Sequence, residues 1–433
     1  MVNLSSPSSL FPPKTQSITG VLTSLTAVLA LSACGGGGGG GSSAPVSEQP
    51  ATPAFSTKVA LGEALFNDVN LSLERNQSCA TCHNPDAAFA DNRLGDDGLV
   101  MAVSRGDDGF SLGTRNTPTA SYAALTPEFD TGTRARVNVD RATVADYEGA
   151  IGGQFVDGRA ENLQVQAGEP FLNPVEMNMA DEAAVVARIL EDTDLEASFK
   201  HVYGDNVFDS TELAFDALTD TISEFENQEQ FARFNSKYDK FIAGEYDAFL
   251  LSKAALGEGL FFSQFTNCDT CHQLQSGNHP QETFTGYEYH NIGVPAHQTL
   301  INLKQSLGQD QPADQGLFDH TGEEAHRGLI KVPTLRNVAV TAPYMHNGVF
   351  RELDTVMRFY DHFNNSNNTI NPETGEPWAA PEVSVNINFD ELEDGDIMSQ
   401  EDIEGLVCFM VALTDEAFEP LVQDKLDDCG LTQ

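Results

Sequence analysis

The chain has 433 residues, 40% of them hydrophobic, which is enough for two ordinary domains with real cores plus extra segments. Acidic residues outnumber basic ones 65 to 23, a formal charge of −42, and such a surface repels nucleic acid and anionic lipid headgroups. It suits a basic partner or calcium, and adaptation to a saline habitat accounts for it equally well.

Residues 1–33 read as a lipoprotein signal peptide. Lys14 precedes an apolar run from Val21 to Leu31 that is too short to span a bilayer. The run ends in Leu31-Ser32-Ala33-Cys34, which resembles a bacterial lipobox and makes Cys34 the lipidated first residue of the mature chain. An ordinary signal peptide with an incidental cysteine is the competing reading. Gly35 to Gly41 and a Ser/Pro/Ala stretch make residues 34–55 a flexible tether. The expected body is exported, on the periplasmic face or the cell surface, with a lipid anchor as in outer-membrane lipoproteins.

Past the tether, Lys58-Val59-Ala60-Leu61-Gly62-Glu63-Ala64-Leu65-Phe66 returns as Lys253-Ala254-Ala255-Leu256-Gly257-Glu258-Gly259-Leu260-Phe261. Each copy precedes the same cysteine motif, so two copies of one domain are expected, 56–243 and 244–433, with the boundary near Gly244. Ala60, Leu61, Ala64 and Leu65 fall at helical spacing, predicting a short helix at the head of each domain. A longer helix is predicted over Thr211 to Phe234, with Leu213, Ala217, Leu218, Thr221, Ile222 and Phe225 along one face. Ser399, with Asp402 three residues on, resembles a capping box and opens a helix striped by Ile403, Leu406, Val407 and Met410. Asp91 to Gly113 and Asn364 to Pro381 read as loops. With few convincing strands, the fold class is mainly α with large loops.

The repeated motifs are Cys79-Ala80-Thr81-Cys82-His83 and Cys268-Asp269-Thr270-Cys271-His272. Two thiols at this spacing can bond the two vinyl groups of one porphyrin, and the adjacent histidine then stands over the iron. Zinc would want further close Cys or His ligands, and none follow. A dithiol redox pair would not need histidine in both copies. Each motif therefore predicts one covalently bound haem c, with Cys79, Cys82 and His83 holding the first and Cys268, Cys271 and His272 the second. Of the seven cysteines, Cys408 and Cys429 remain, and in an oxidising compartment they could form a disulfide.

The sixth iron ligand separates a carrier from a catalyst, because a catalyst leaves that position open. After His83 the first domain offers only His201, at an apparent helix end, and Met101. The first iron thus lacks an obvious sixth ligand, which favours an open catalytic site. The second domain offers His279, His290, His297, His320, His326, His346, His362, Met345, Met357 and Tyr360, and spacing does not choose among them.

Phe155-Val156-Asp157-Gly158-Arg159-Ala160, followed by Gln166 and Asn173-Pro174-Val175-Glu176-Met177, resembles the bacterial di-haem cytochrome c peroxidase and MauG family. So does Lys331-Val332-Pro333-Thr334-Leu335-Arg336-Asn337, followed by Ala342-Pro343-Tyr344-Met345-His346-Asn347-Gly348. The resemblance covers roughly residues 56 to 415. It implies two tandem cytochrome c-like domains, with a peroxidatic haem in the first and an electron-transfer haem in the second. It makes Glu176 and Gln166 the catalytic pair that moves a proton and orients peroxide; a surface carboxylate and a helix-face amide would be the default without the flanking motif. It also implies a calcium ion held by Asn116 and the carbonyls of Thr341 and Pro343.

Three departures from the family pattern stand out. Typical members carry a histidine in the first-domain loop that blocks the peroxidatic iron, and Asn84 to Arg115 contains none. The second-haem ligand position falls on Tyr360, the MauG type, rather than on methionine, with Met357 one turn earlier as competitor. The family's inter-haem tryptophan is Val156 here. The resemblance implies reduction of hydrogen peroxide to water with electrons from a small cytochrome c or cupredoxin. A MauG-like oxidase acting on a side chain of a partner protein through high-valent iron is the first alternative. A non-catalytic electron-transfer cytochrome is the second.

Overall fold

The computed structural model describes residues 53–136, 146–274 and 281–432. Cys34, the signal peptide, nearly all of the tether and His279 lie outside the described residues. Helices and long loops dominate, as the sequence predicts, and they gather around two hydrophobic cores.

The first core is built by the helices Lys58–Phe66, Leu163–Leu172, Glu182–Leu190 and Thr211–Glu226. Leu61, Leu65 and Phe66 pack there against Leu218, Ile222 and Phe225. The second core is built by Lys253–Phe261, Leu353–Asp361 and Gln400–Ala412, around an aromatic cluster of Tyr238, Phe249, Phe261, Phe284 and Phe409. Edge-to-face pairs such as Phe261–Phe409 and Tyr238–Phe409, both with centroids 5.2 Å apart, each add about 0.5–1.5 kcal/mol beyond burial. Cys408 and Cys429 are joined by a disulfide in this core, their Cα atoms 5.4 Å apart.

The repeated Leu-Gly-Glu has a packing cause. A Cβ on Gly62 would lie 2.2 Å from the carbonyl oxygen of Thr221, and one on Gly257 would lie 1.9 Å from that of Gly405. In both halves the head helix presses its glycine onto the backbone of the later helix. Any side chain there would force the pair apart, and overpacking of this kind costs roughly 1–3 kcal/mol or more.

The predicted Thr211–Phe234 helix is shorter, ending at Glu226. The Asn227 N–H donates to Ser223 O at 3.1 Å, and a short 3-10 turn, Glu229–Phe231, follows. Leu213, placed on the apolar face by periodicity, is exposed in the first turn. The Ser399 capping box is present: Ser399 Oγ accepts from Asp402 N at 3.2 Å and Asp402 Oδ2 accepts from Ser399 N at 2.8 Å. The described strands form two antiparallel pairs, Asp130–Arg134 with Tyr147–Ile151 and Tyr289–His290 with Ile330–Lys331. Asp130–Arg134 is polar and largely exposed, so it carries no apolar alternation for sequence reasoning to find.

The halves interlock. Phe418, from near the C-terminus, is buried in the first core. Between the cores Arg336 donates bidentately to Asp239, at 2.6 and 2.8 Å, with both side chains buried.

Candidate haem cavity

One continuous cavity of about 1030 Å³ is lined by both cysteine motifs. That is at or above the upper end of ordinary ligand pockets, roughly 300–1,000 Å³. Cys79, Cys82 and His83 form part of one wall, and Cys268, Cys271 and His272 part of another. In each motif the cysteines span a single helical turn, Cys79–Cys82 and Cys268–Cys271, whose end delivers the histidine.

Both histidines are oriented in the same way. His83 Nδ1 lies 3.1 Å from Phe89 O, and His272 Nδ1 lies 3.0 Å from Phe284 O. A carbonyl can only accept, so Nδ1 carries the proton and Nε2 is left with its lone pair, the state an iron ligand needs. Burial lowers the pKa of both imidazoles, His272 to about 4, which keeps them neutral. Phe89 and Phe284 both adopt left-handed backbone conformations, each with φ 55°, an uncommon state for a bulky residue. The chain holds that conformation twice, at the residue whose carbonyl fixes the histidine. Residue type gave no hint of it. Cavity, paired thiols and tautomer together fit covalent haem at both sites.

Gln166 and Glu176 line this same cavity with His83. Gln166 projects from Leu163–Leu172, which Asn162 caps by accepting from Val165 N at 3.1 Å. That helix stops at Asn173, whose Nδ2 donates to Glu176 Oε1 at 2.9 Å. Asp107 N donates to the Glu176 carbonyl at 2.8 Å and pins the turn to the opposite loop. Burial pushes the Glu176 carboxyl above its ordinary pKa, while Arg159 pulls it back and Glu169 adds to the rise. A carboxyl so placed can exchange a proton nearer neutrality than a solvated one.

The sixth-ligand candidates separate. His201 is exposed in the last turn of its helix, and Met101 is not on the cavity wall. Tyr360 and Met357, both on Leu353–Asp361, are on the wall with His272. Burial raises the Tyr360 hydroxyl above its ordinary range, and the charges of Cys271 and Cys268 raise it further. His290 and His346 also reach the wall. His290 is held by Glu288 at 3.3 Å and Asn388 at 2.9 Å, and His346 Nε2 by Glu382 at 3.2 Å. His297, His320, His326, His362 and Met345 divide likewise: only Met345 lines the cavity.

Asn116, Thr341 and Pro343 all line the cavity. Asn116 N donates to His346 O at 2.7 Å and its Nδ2 to Ala102 O at 2.9 Å, which fixes the amide and leaves Oδ1 to accept. Val156 also lines the cavity, and its carbonyl accepts from Lys331 N at 2.8 Å.

Two attachment motifs on one cavity, each with a pre-oriented histidine, define a di-haem c-type cytochrome, with a buried carboxyl and an amide on the same cavity wall. A family model described as di-haem cytochrome c peroxidase matches residues 56–247. The chain is 44% identical over 382 residues to the methylamine utilization protein MauG of Paracoccus denitrificans (strain Pd 1222), covering 87% of this chain and 93% of that protein. It is 28% identical to the cytochrome c peroxidase Ccp of Escherichia coli (strain K12), over 86% of this chain and 61% of that one. The diheme peroxidase BthA from Burkholderia thailandensis E264 shares the fold with a TM-score of 0.67 and 26% identity, over 83% of this chain and 86% of that chain. The chain belongs to the di-haem cytochrome c peroxidase and MauG family, and it is a haem-dependent oxidoreductase.

Proposed function

We propose that this enzyme reduces hydrogen peroxide to water with electrons from a small cytochrome c or cupredoxin. The observation that carries the reading is the buried Glu176 carboxyl, with Gln166, in the same cavity as His83. The haems supply the electron-transfer chemistry. Glu176 would take a proton from peroxide and return it to the departing oxygen, so that water leaves. The Gln166 amide donates to the peroxide oxygens and orients them. Tyr360 would supply the protein ligand to the second haem's iron, with Met357 as the alternative. Asn116 Oδ1 and the carbonyls of Thr341 and Pro343 would hold a calcium ion, the kind of oxygen ligand that calcium prefers.

A second reading, oxidation of a side chain on a partner protein, is favoured by Tyr360, which lines the cavity with Cys268, Cys271 and His272. Reduced small cytochrome plus peroxide discriminates: rapid oxidation of the cytochrome, two per peroxide, supports the peroxidase, and absence of turnover overturns it in favour of the second reading. The chain is exported and tethered through Cys34. In keeping with this, no helix among the described residues is long and apolar enough to cross a membrane.

A further inference from the structure

Lys331 is buried at the meeting point of the two halves, on the wall of the haem cavity. Its backbone N–H donates to Val156 O at 2.8 Å, and its ammonium donates to the carbonyl of Gly153. Both acceptors belong to the segment preceding Arg159. On its other side, Lys331 pairs with Tyr289 across the short sheet.

Among the described residues, no carboxylate lies within ion-pair distance of this ammonium. Asp157, the carboxylate whose charge acts on it, is already engaged: it accepts from Arg115 at 2.5 Å and from Arg159 at 3.0 Å. Arg115 in turn is shared with Asp314. Every other cation of this cluster has a carboxylate partner, and Lys331 has only a backbone carbonyl. A buried ammonium without a counter-charge is costly, by several kcal/mol per ion. Burial accordingly lowers its pKa to about 7, with Asp157 opposing weakly. The amphipathic alternative, a stem that is buried while the head reaches water, does not apply, because the ammonium turns to the Gly153 carbonyl.

The cavity it faces is the one that both cysteine motifs line. A porphyrin tethered through its vinyl edge points its propionate edge away from its own cysteines. We infer that the Lys331 ammonium is the counter-charge of a haem propionate carboxylate, held where the two halves meet. This rests on the di-haem reading. The pairing keeps the ammonium charged and the propionate anchored, and places a positive charge beside a haem, which favours the reduced state. Lys331 is thus a positioning residue for the cofactor.

The test uses holoprotein carrying Lys331→Met, with Lys331→Arg as the conservative partner and Lys331→Gln as a second, polar variant. Covalent haem is counted first by the pyridine haemochrome spectrum; fewer than two haems in the unmutated protein defeats the di-haem reading itself. With two haems bound, Lys331→Met is expected to shift a propionate bending band in the resonance Raman spectrum. It should also move one haem's reduction equilibrium by about tenfold toward the oxidised form, 59 mV for a one-electron couple. Lys331→Arg should keep both near the original values. Unchanged band and potential in Lys331→Met and Lys331→Gln overturn the assignment. So does a potential in the unmutated protein that follows added chloride or phosphate, since the counter-charge would then be a free anion.

Discussion

The Tyr122 hydroxyl reaches both carboxylate oxygens of Asp415 at 2.9 Å, across 293 residues of sequence. Asp415 also accepts from Asn337 Nδ2 at 2.8 Å, and all three side chains are buried. Two residues before Tyr122, the Ala120 N–H donates at 3.0 Å to Phe89 O, the carbonyl that orients His83. The Arg336 guanidinium lies 5.9 Å from the Tyr122 ring and 5.2 Å from the ring of Phe284, whose carbonyl orients His272. The two histidine-orienting carbonyls are therefore linked through one buried polar junction. Tyr122→Phe removes a hydrogen bond to a buried charge and should cost about 1.5–3 kcal/mol. Denaturant unfolding of the holoprotein measures this; an unchanged midpoint and slope would show that the junction is not held by Tyr122.

Glu176→Gln should lower peroxide turnover by about 10²–10⁴-fold while both haems remain bound. Only the carboxylate can accept the proton, and burial raises its pKa. In the unmutated protein kcat/KM should therefore fall as pH drops through a value above the ordinary glutamate range. Steady-state assays across pH check both statements, and an acid limb at the solvated glutamate value would remove Glu176 from the proton step.

Tyr360→Phe and Met357→Leu separate the two candidate caps of the second haem. Loss of a phenolate ligand should alter the ferric absorption and electron paramagnetic resonance spectra of one haem and raise its potential. Met357→Leu conserves volume in the core and should cost under about 1.5 kcal/mol with spectra unchanged. The reverse pattern would assign the ligand to Met357.

A calcium chelator should slow electron equilibration between the haems, and added calcium should restore it. Asn116→Ala should reproduce the slow phase and resist rescue if, as proposed, its Oδ1 supplies the side-chain ligand. Stopped-flow absorbance after rapid partial reduction reads this, and equal rates with and without chelator would remove calcium from the electron route.

Glu226, buried on Thr211–Glu226 beside Cys79, has an Oε2 without a hydrogen-bond partner among the described residues, and burial raises its pKa to about 8. The folded state thus keeps a proton that the unfolded state releases near pH 4.5. Between those values the folded state binds more protons, so this group subtracts stability as pH rises, by about 1.4 kcal/mol per unit at most. Glu226→Gln should equal the unmutated protein near pH 4 and exceed it in stability at pH 7. Equal stability at both pH values would mean that the carboxyl is compensated in the holoprotein.

The motifs, the repeat and the helices were legible because each has a local signature: paired cysteines with histidine, Leu-Gly-Glu, or apolar residues three and four apart. Gln166 and Glu176 were legible only through resemblance, since nothing in a lone amide and carboxyl distinguishes a cavity wall from a solvated face. Phe89, Phe284, Glu226 and Lys331 were not singled out for the parts they play. Their roles come from a backbone angle or from burial beside groups distant in sequence, and neither leaves a trace in residue type. The junction of Tyr122, Arg336 and Asp415 was missed for the same reason.

The carbonyl that orients each histidine also records how freely the two sites could diverge. Phe89 follows His83 by six residues, whereas Phe284 follows His272 by twelve. Both phenylalanines nonetheless return to the same backbone angle and the same hydrogen bond. After a duplication, the stretch between ligand and carbonyl could therefore gain or lose residues without disturbing the histidine. The longer connection in the second copy thus leaves the orientation of its motif histidine the same as in the first.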